Sequence, residues 1–177
     1  MNAQLTNRSG RTWALRAATG LFEKCPPFAA ARAVTLALRA VGVQIGSATV
    51  FWGMPRLVGP GDVASRLRVG TFGGFNARCF FELDDQVTIG DHVAVGQDVM
   101  FLTRMRDSSD PNRRGRSSGS APIEVGNGAW IGARCTIMPG VKIGAGSVIG
   151  ASVVVDKDVP PNILLMGTRR ISLAKWR

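Results

Sequence analysis

Histidine and cysteine are scarce in this 177-residue chain, and long apolar runs are absent. Cys25, Cys79 and Cys135 are an odd number without metal-type spacing, which favours reduced packing residues in a cytosolic protein; we expect no metal. No segment reaches the roughly 18 apolar residues of a membrane-spanning helix. No apolar core of a signal peptide is evident near the N-terminus, so the sequence predicts a cytoplasmic protein.

Acidic residues are also few: 12 Asp and Glu stand against 22 Lys and Arg, for a net charge of +10. This balance allows nucleic acid, anionic lipid or an anionic cofactor as partner. The basic residues are dispersed, with local clusters at 104–116 and 169–177, and no nucleic-acid-binding motif is visible. We therefore expect no nucleic-acid partner.

A strict period of six organises residues 125–155, VGNGAWIGARCTIMPGVKIGAGSVIGASVVV. Neither a helix nor a free strand has this period, whereas three short strands per coil of a parallel β-helix produce it. Glycine follows most of the aliphatic residues, as expected at a corner where a Cβ would be strained. The aliphatic positions are Val125, Ile131, Ile137, Ile143, Ile149 and Val155.

The same period begins earlier and is interrupted twice. It runs through Ile45, Phe51, Leu57, Val63, Val69, Phe75 and Phe81, and then through Ile89, Val95 and Phe101. The eight residues from Phe81 to Ile89 predict a two-residue insertion around Leu83–Gln86. The polar segment 103–122 predicts a loop extruded from a coil. The sequence thus predicts a mainly β fold, a parallel β-helix of about five coils.

Three regions follow from these patterns: an N-terminal helical cap (1–44), the β-helix domain (45–160) and a basic tail (161–177). Helical patterns at 11–24 and 27–41 are separated by Pro26–Pro27, and Gly42 ends the second. These helices either cover the open end of the β-helix or place a basic amphipathic surface on anionic lipid. The tail is expected to leave the coil at Pro160–Pro161, because proline cannot continue a central strand.

The stretch VGNGAWIGARCTIMPGVKIGAGSVIGASVVVDKDVPPN resembles the hexapeptide-repeat acyltransferases, and FNARCFFELDDQVTIGDHVAVG is similar to the first half of their core. LALRAVGVQIG resembles the lead-in of colanic-acid-type acetyltransferases, and the branch looks like the galactoside and maltose O-acetyltransferases. The resemblance implies a left-handed β-helix and a homotrimer with active sites in clefts between subunits. It also implies acetyl-CoA or another acyl-CoA as co-substrate, and a small-molecule or glycan acceptor.

The resemblance also suggests roles for individual residues. Asn76 and Asp84 match the acceptor side; the alternatives are a corner residue that tolerates strained backbone angles for Asn76 and a solvated turn for Asp84. Trp130 matches an aromatic ring beside the thioester arm, or is an interface tryptophan. Ala133 and Ala151 match positions beside the pantetheine chain of acyl-CoA. Lys157 and Arg170 match positions near its nucleotide phosphates.

The general-base histidine of these enzymes is missing, and ungapped counting puts Arg106 in its place, ahead of the expected DPNR at 110–113. Arginine stays charged and cannot accept a hydroxyl proton. Another base is one alternative, with Asp84, Asp107 and Asp110 nearest in sequence. Otherwise Arg106 orients an anionic acceptor or stabilises an oxyanion, or the protein binds without catalysis.

His92, the only histidine, is expected to be a structural corner residue. A carbonic anhydrase of this fold needs three zinc-binding histidines and is excluded. The sequence therefore predicts an acyl-CoA-dependent O-acyltransferase with a sugar or glycan acceptor. The alternative is a non-catalytic hexapeptide-repeat protein that serves as a binding or scaffold subunit.

Overall fold

The computed structural model describes residues 13–15, 17–22 and 30–172. Residues 13–15 and 17–22 are helical, and a helix spans Ala31–Ala40. It ends as predicted, since Gly42 adopts a φ of 104° and its N–H donates to the carbonyl of Arg39. Cys25, Pro26–Pro27 and the end of the basic tail lie outside the described residues. No helix within the described ranges is long and apolar enough to cross a membrane.

Three sheets of short strands form the sides of a triangular coil. The first face contains Gln44–Ile45, Leu67–Val69, Val87–Ile89, Ile123–Val125 and Lys142–Ile143. The second face contains Val50–Phe51, Gly74–Phe75, Ala94–Val95, Trp130–Ile131, Val148–Ile149, Ile163–Met166 and, at its edge, Arg169–Ser172. The third face contains Arg56–Val58, Phe80–Glu82, Met100–Leu102, Thr136–Ile137 and Val154–Val155. The predicted left-handed parallel β-helix is confirmed, with five coils and part of a sixth.

The residues on period six fill the interior of the coil. Phe51, Phe75, Phe81, Phe101 and Ile131 are fully buried, and two pairs of phenylalanines stack between successive coils with ring centroids 4.4 and 4.7 Å apart. Burying a large apolar side chain stabilises a fold by roughly 1.5–3 kcal/mol. This stacked column is therefore the main source of stability.

Glycine is required after the aliphatic residues for a different reason from the one predicted. A Cβ on Gly96 would lie 2.6 Å from the backbone nitrogen of Ala133, and one on Gly132 would lie 2.6 Å from that of Ala151. These glycines are needed because the next coil passes too close for a side chain. The positive φ of the corner belongs to the residue two positions later, such as Asp98 (59°) or Arg134 (60°).

Coil length varies because insertions are placed at particular corners. Ile45 pairs with Val69, 24 residues later, because an insertion that contains Val63 and a 3₁₀ turn at Ala64–Arg66 lengthens the connection before Leu67–Val69. Val63 is thus buried but occupies no strand, contrary to the prediction. Val69 pairs with Ile89 after 20 residues, which confirms the predicted two-residue insertion.

The two ends of the β-helix differ: a helix packs on the first coil, and the chain continues coiling at the other end. Thr35 of the helix Ala31–Ala40 accepts a 3.1 Å hydrogen bond from the N–H of Phe51, on the edge strand of the first coil. At the other end the coil continues past Pro160–Pro161 rather than leaving there. Val159 still bridges to Ile143, and Ile163–Met166 pairs with Val148–Ile149. The prolines sit at a corner, where no strand hydrogen bond is required of them.

Candidate active site

Four of the residues suggested by the resemblance line one groove on the second face. Asn76, Trp130, Ala133 and Ala151 surround a cavity of about 650 Å³. They come together because each lies in or just after a strand of this face, and the strands of this face are stacked in one sheet. Val148, Leu164 and Met166 add an apolar wall. The groove is therefore long, largely apolar and lined by closely stacked backbone.

Trp130 stands on the outer side of its strand, 56% exposed, while the next residue, Ile131, points inward and is fully buried. Its register partners are Ala94 on one side and Val148 on the other. The small side chain of Ala94 leaves room beside the indole. Trp130 is thus an exposed aromatic surface within the groove.

Asn76 is held by its own turn. Its Oδ1 accepts a 2.8 Å hydrogen bond from the N–H of Ala77, and its Nδ2 lies 3.5 Å from Oε1 of Gln97. The positive φ of this corner belongs to Arg78, at 61°, so backbone strain does not explain Asn76. Gln97 also lines the groove and was not anticipated from the sequence. Asn76 and Gln97 place two amide groups at the same end of the cavity.

Asp84 lies in the two-residue insertion between the strands Phe80–Glu82 and Val87–Ile89, where the hydroxyl of Thr103 fixes the backbone. Oγ1 of Thr103 accepts hydrogen bonds from the N–H groups of Asp84 and Asp85, both at 3.0 Å, and donates to the carbonyl of Glu82 at 2.7 Å. Thr103 is fully buried. The bulge is therefore built into the core rather than loosely attached.

The carboxylate of Asp84 is paired with Arg104. Nε and Nη2 of Arg104 bind its two oxygens, the second at 3.1 Å, and Oε1 of Glu82 lies 3.7 Å from Nε. The Asp84 side chain is 13% exposed, which rules out the solvated turn. The hydrogen bond to Asp84 raises the pKa of Arg104 above its ordinary value. Glu82 and Arg104 were not anticipated as contacts of the candidate residues, because neither matches a recognised position.

The predicted extruded loop is an antiparallel hairpin of Arg104–Asp107 and Arg116–Ser120, with a register shift between Met105 and Arg106. Arg106 is 54% exposed; its Nη1 donates to the carbonyl of Gly115 at 3.1 Å, and its Nη2 is 4.0 Å from Oε1 of Glu82. Arg106 therefore has guanidinium N–H groups available for a ligand.

The other two candidate bases are engaged in the hairpin turn. Asp107 accepts a 2.8 Å hydrogen bond from the N–H of Ser109, and bonding to Ser109 holds the pKa of this carboxyl below its usual value. Asp110 accepts from the N–H of Asn112 at 2.9 Å. Both carboxylates stabilise the turn.

The groove and the Asp84–Arg106 corner are not adjacent within one chain. The strand Phe80–Glu82 of the third face separates Asn76 from Asp84. Lys157 lines a second hollow of about 370 Å³ with Asp156 and Thr168. That hollow adjoins the groove at the strand Ile163–Met166. The backbone of Arg170 lies in the edge strand Arg169–Ser172, and its side chain lies outside the described part.

His92 occupies a corner with a φ of 57°, and its ring stacks on Phe72 with centroids 5.0 Å apart. This geometry agrees with the structural role predicted for it. Among the described residues, no group of three or more His, Cys, Asp and Glu side chains could hold a metal ion.

Comparison with protein families identifies the repeat. The sequence model for the bacterial transferase hexapeptide (six repeats) matches residues 122–157. Residues 122–157 therefore carry the repeat that this model describes. The matched segment contains Trp130, Ala133, Ala151 and Lys157, all suggested to lie along the co-substrate.

The chain is 42% identical over 84 residues to the galactoside O-acetyltransferase of Escherichia coli K12, across 48% of this chain and 41% of that protein. It spans 41–46% of the length of the curated relatives it matches.

Two solved structures cover almost the whole chain. A galactoside acetyltransferase in complex with coenzyme A aligns with a TM-score of 0.77 at 25% identity, over 97% of this chain and 82% of that one. A hexapeptide-repeat acetyltransferase of Vibrio cholerae, complexed with acetyl-coenzyme A, aligns with a TM-score of 0.72 at 25% identity. This alignment covers 98% of this chain and 89% of that one. The likeness therefore extends beyond the matched repeats.

Proposed function

We propose that this protein is an acyltransferase that moves the acyl group of acetyl-CoA, or another acyl-CoA, to a hydroxyl of a sugar or glycan acceptor. One observation carries the proposal: Asn76, Trp130, Ala133 and Ala151 line one groove. Two relatives with this fold were crystallised with coenzyme A or acetyl-coenzyme A.

The groove suits the shape of the pantetheine arm. Val148, Leu164 and Met166 offer apolar contact to a thin chain, while Trp130 offers a flat ring. Lys157, in the adjoining hollow, supplies positive charge for nucleotide phosphates. In the reaction the acceptor oxygen bonds the thioester carbon, the C–S bond breaks, and the hydroxyl proton ends on the CoA sulfur.

The site is proposed to be completed by a homotrimer, with clefts between subunits. Asn76 and Asp84 lie at different corners of one chain, so a cleft containing both requires a neighbour. Exposed apolar side chains on the second and third faces support such contacts: Met100, Trp130, Val154 and Met166. The outward positions of the first face are polar, including Arg68, Thr88, Glu124 and Lys142.

Arg106 is proposed to stand in the place of the usual histidine base. If so, Arg106→His should raise turnover with neutral sugar acceptors, by up to about 10²-fold. Arg106→Lys, which keeps the charge and adds no base, is the matched control. Equal turnover of both variants would show that this position does not handle the proton.

The second candidate function is a non-catalytic binding or scaffold subunit. It is favoured by the pairing of Asp84 with Arg104 and by the hydrogen bonds that engage Asp107 and Asp110. The only histidine, His92, has its ring stacked on Phe72.

Calorimetry with acetyl-CoA tests both candidates. Wild type should bind, Trp130→Ala should bind about tenfold more weakly or worse, and Trp13→Ala, an exposed tryptophan away from the groove, should match wild type. Absence of binding at millimolar ligand would reject the acyltransferase. Binding without thiol release across a sugar panel would favour the non-catalytic subunit.

Membrane contact through the N-terminal helices remains a separate proposal. Exposed Trp13, Leu21 and Leu36 support it. Arg39 does not, because its guanidinium binds the carbonyls of Ile45 and Gly46. Equal liposome binding by the full chain and a variant lacking residues 1–41 would reject it.

A further inference from the structure

The hairpin that carries Arg106 is unusually rich in arginine. Five arginines lie between the start of its first strand and its second strand: Arg104, Arg106, Arg113, Arg114 and Arg116. Only two acidic residues, Asp107 and Asp110, share this segment. The distribution of ion pairs decides how much of this positive charge is free.

Arg104 differs from the other four because it is committed to the carboxylates beneath the hairpin. It binds both oxygens of Asp84 and lies 3.7 Å from Glu82. Asp85, the third carboxylate of this corner, accepts hydrogen bonds from the hydroxyl of Ser120 and the N–H of Gln86. The negative charge at the base of the hairpin is thus already paired or hydrogen-bonded.

Among the described residues, the other four arginines have no carboxylate closer than 4.0 Å. Arg106 approaches Glu82 only to 4.0 Å and otherwise contacts a backbone carbonyl. Arg113, Arg114 and Arg116 are exposed and form no ion pair with any described residue. The segment holds only two carboxylates, Asp107 and Asp110, against these four guanidinium groups, so the hairpin turn presents excess positive charge to solvent.

We infer that the acceptor carries a negative charge, as a phosphate or carboxylate on the sugar, and that Arg106 with the arginines of the hairpin turn binds that group. This rests on the proposed acyl transfer and narrows its substrate class. A guanidinium binds carboxylate and phosphate through paired N–H groups, and such charge-assisted bonds are about twice as strong as neutral ones. A neutral sugar would leave these arginines unused.

Binding of the anionic group gives Arg106 a role in which its side chain does not accept the hydroxyl proton. A bound anion fixes the position of a hydroxyl elsewhere on the same acceptor, and correct positioning is itself a large contribution to rate. Arg106 would then touch the acceptor without transferring its proton. Loss of Arg106 should therefore lower kcat/KM for an anionic acceptor and leave kcat/KM for a neutral acceptor unchanged.

Binding is measured first, so that the test does not depend on finding the natural acceptor. Glucose 6-phosphate and glucuronate are compared with glucose by calorimetry, with coenzyme A present. We expect at least about tenfold tighter binding of one anionic sugar at low salt, with a clear loss at 0.5 M salt. The two anions distinguish a phosphate site from a carboxylate site.

Arg106→Gln and the double variant Arg113→Gln/Arg114→Gln should each weaken binding of the anionic sugar at least about fivefold. Arg106→Lys should retain part of the affinity for the anionic sugar. Arg32→Gln, an exposed arginine on the helix Ala31–Ala40, is the control and should bind as wild type does. Glucose binding should be the same in all variants.

Equal binding of glucose and both anionic sugars would overturn the inference, as would anion binding unaffected by the hairpin variants. The proposed function fails separately, by absence of acetyl-CoA binding. A protein that binds acetyl-CoA and acylates glucose as well as its 6-phosphate would keep the function and lose the anionic acceptor.

Discussion

The guanidinium of Arg104 binds both carboxylate oxygens of Asp84, although the two residues are 20 positions apart in the chain. Asp84 lies in an insertion at one corner, and Arg104 begins the hairpin that leaves the same corner one coil later. A residue suggested to act on the acceptor is thereby converted into half of an ion pair. Several predictions about the site depend on this contact.

Removing the cation should destabilise the protein because the carboxylate stays largely buried. Arg104→Gln is expected to lower the midpoint of thermal unfolding by about 2–4 °C. Asp84→Asn combined with Arg104→Gln should be more stable than the sum of the single changes predicts, because no unpaired charge remains. Additive effects in this double-mutant cycle would show that the two residues do not interact in solution.

Thr103 is expected to be a positioning residue for the same corner. Thr103→Val removes the acceptor of two N–H groups and should cost about 1–3 kcal/mol of unfolding free energy, measured in denaturant. Thr103→Ser keeps the hydroxyl and is the control. If acyl transfer is detected, Thr103→Val should also raise the acceptor KM, whereas the KM for acyl-CoA should not change. Equal stability of the two variants would contradict the hydrogen bonding described here.

Close coil contact predicts that a single methyl group disrupts the repeat. Gly132→Ala places a Cβ 2.6 Å from the nitrogen of Ala151, and overpacking of this kind costs about 1–3 kcal/mol. Gly20→Ala, where a Cβ meets nothing within 4 Å, should be neutral or stabilising. The unfolding free energies of the two variants are compared in denaturant. Similar values would argue against the close approach of Gly132 to the next coil.

Burial raises the pKa of the Cys79 thiol from its ordinary value of 9.0 to about 12. The folded state therefore binds a proton that the unfolded chain releases above pH 9. This contribution is fully present below pH 9 and is lost as pH rises towards 12. The unfolding free energy of wild type should fall more steeply between pH 9 and 11 than that of Cys79→Ala. Parallel pH dependences of the unfolding free energy in the two proteins would contradict this prediction.

The proposed trimer predicts that the outer side of the third face is an interface. Val154 is 61% exposed there, so Val154→Lys should yield a monomer in sedimentation experiments while keeping the β-sheet signal of circular dichroism. Thr88→Lys, on the first face, should sediment as wild type. A wild-type monomer at micromolar concentration would refute the trimer.

The candidate site was only partly predictable. Asn76, Trp130, Ala133 and Ala151 were suggested by resemblance, and the structure places them in one groove. Gln97, Glu82, Thr103 and Arg104 were not found, because each acts through a neighbour on another coil. No signal along the sequence marks a partner 20 residues away unless the length of every insertion is known.

The period of six is a property of the sequence by itself, because each buried side chain needs the same short strand and corner before the next one. It determined the β-helix, the inward column and the two-residue insertion before Ile89. Tertiary structure decided the role of Val63, the continuation of the coil past Pro160–Pro161 and the pairing of Asp84 with Arg104. These depend on which residues lie above one another. The six-residue insertion that contains Val63–Arg66, and the hairpin, change that register between coils.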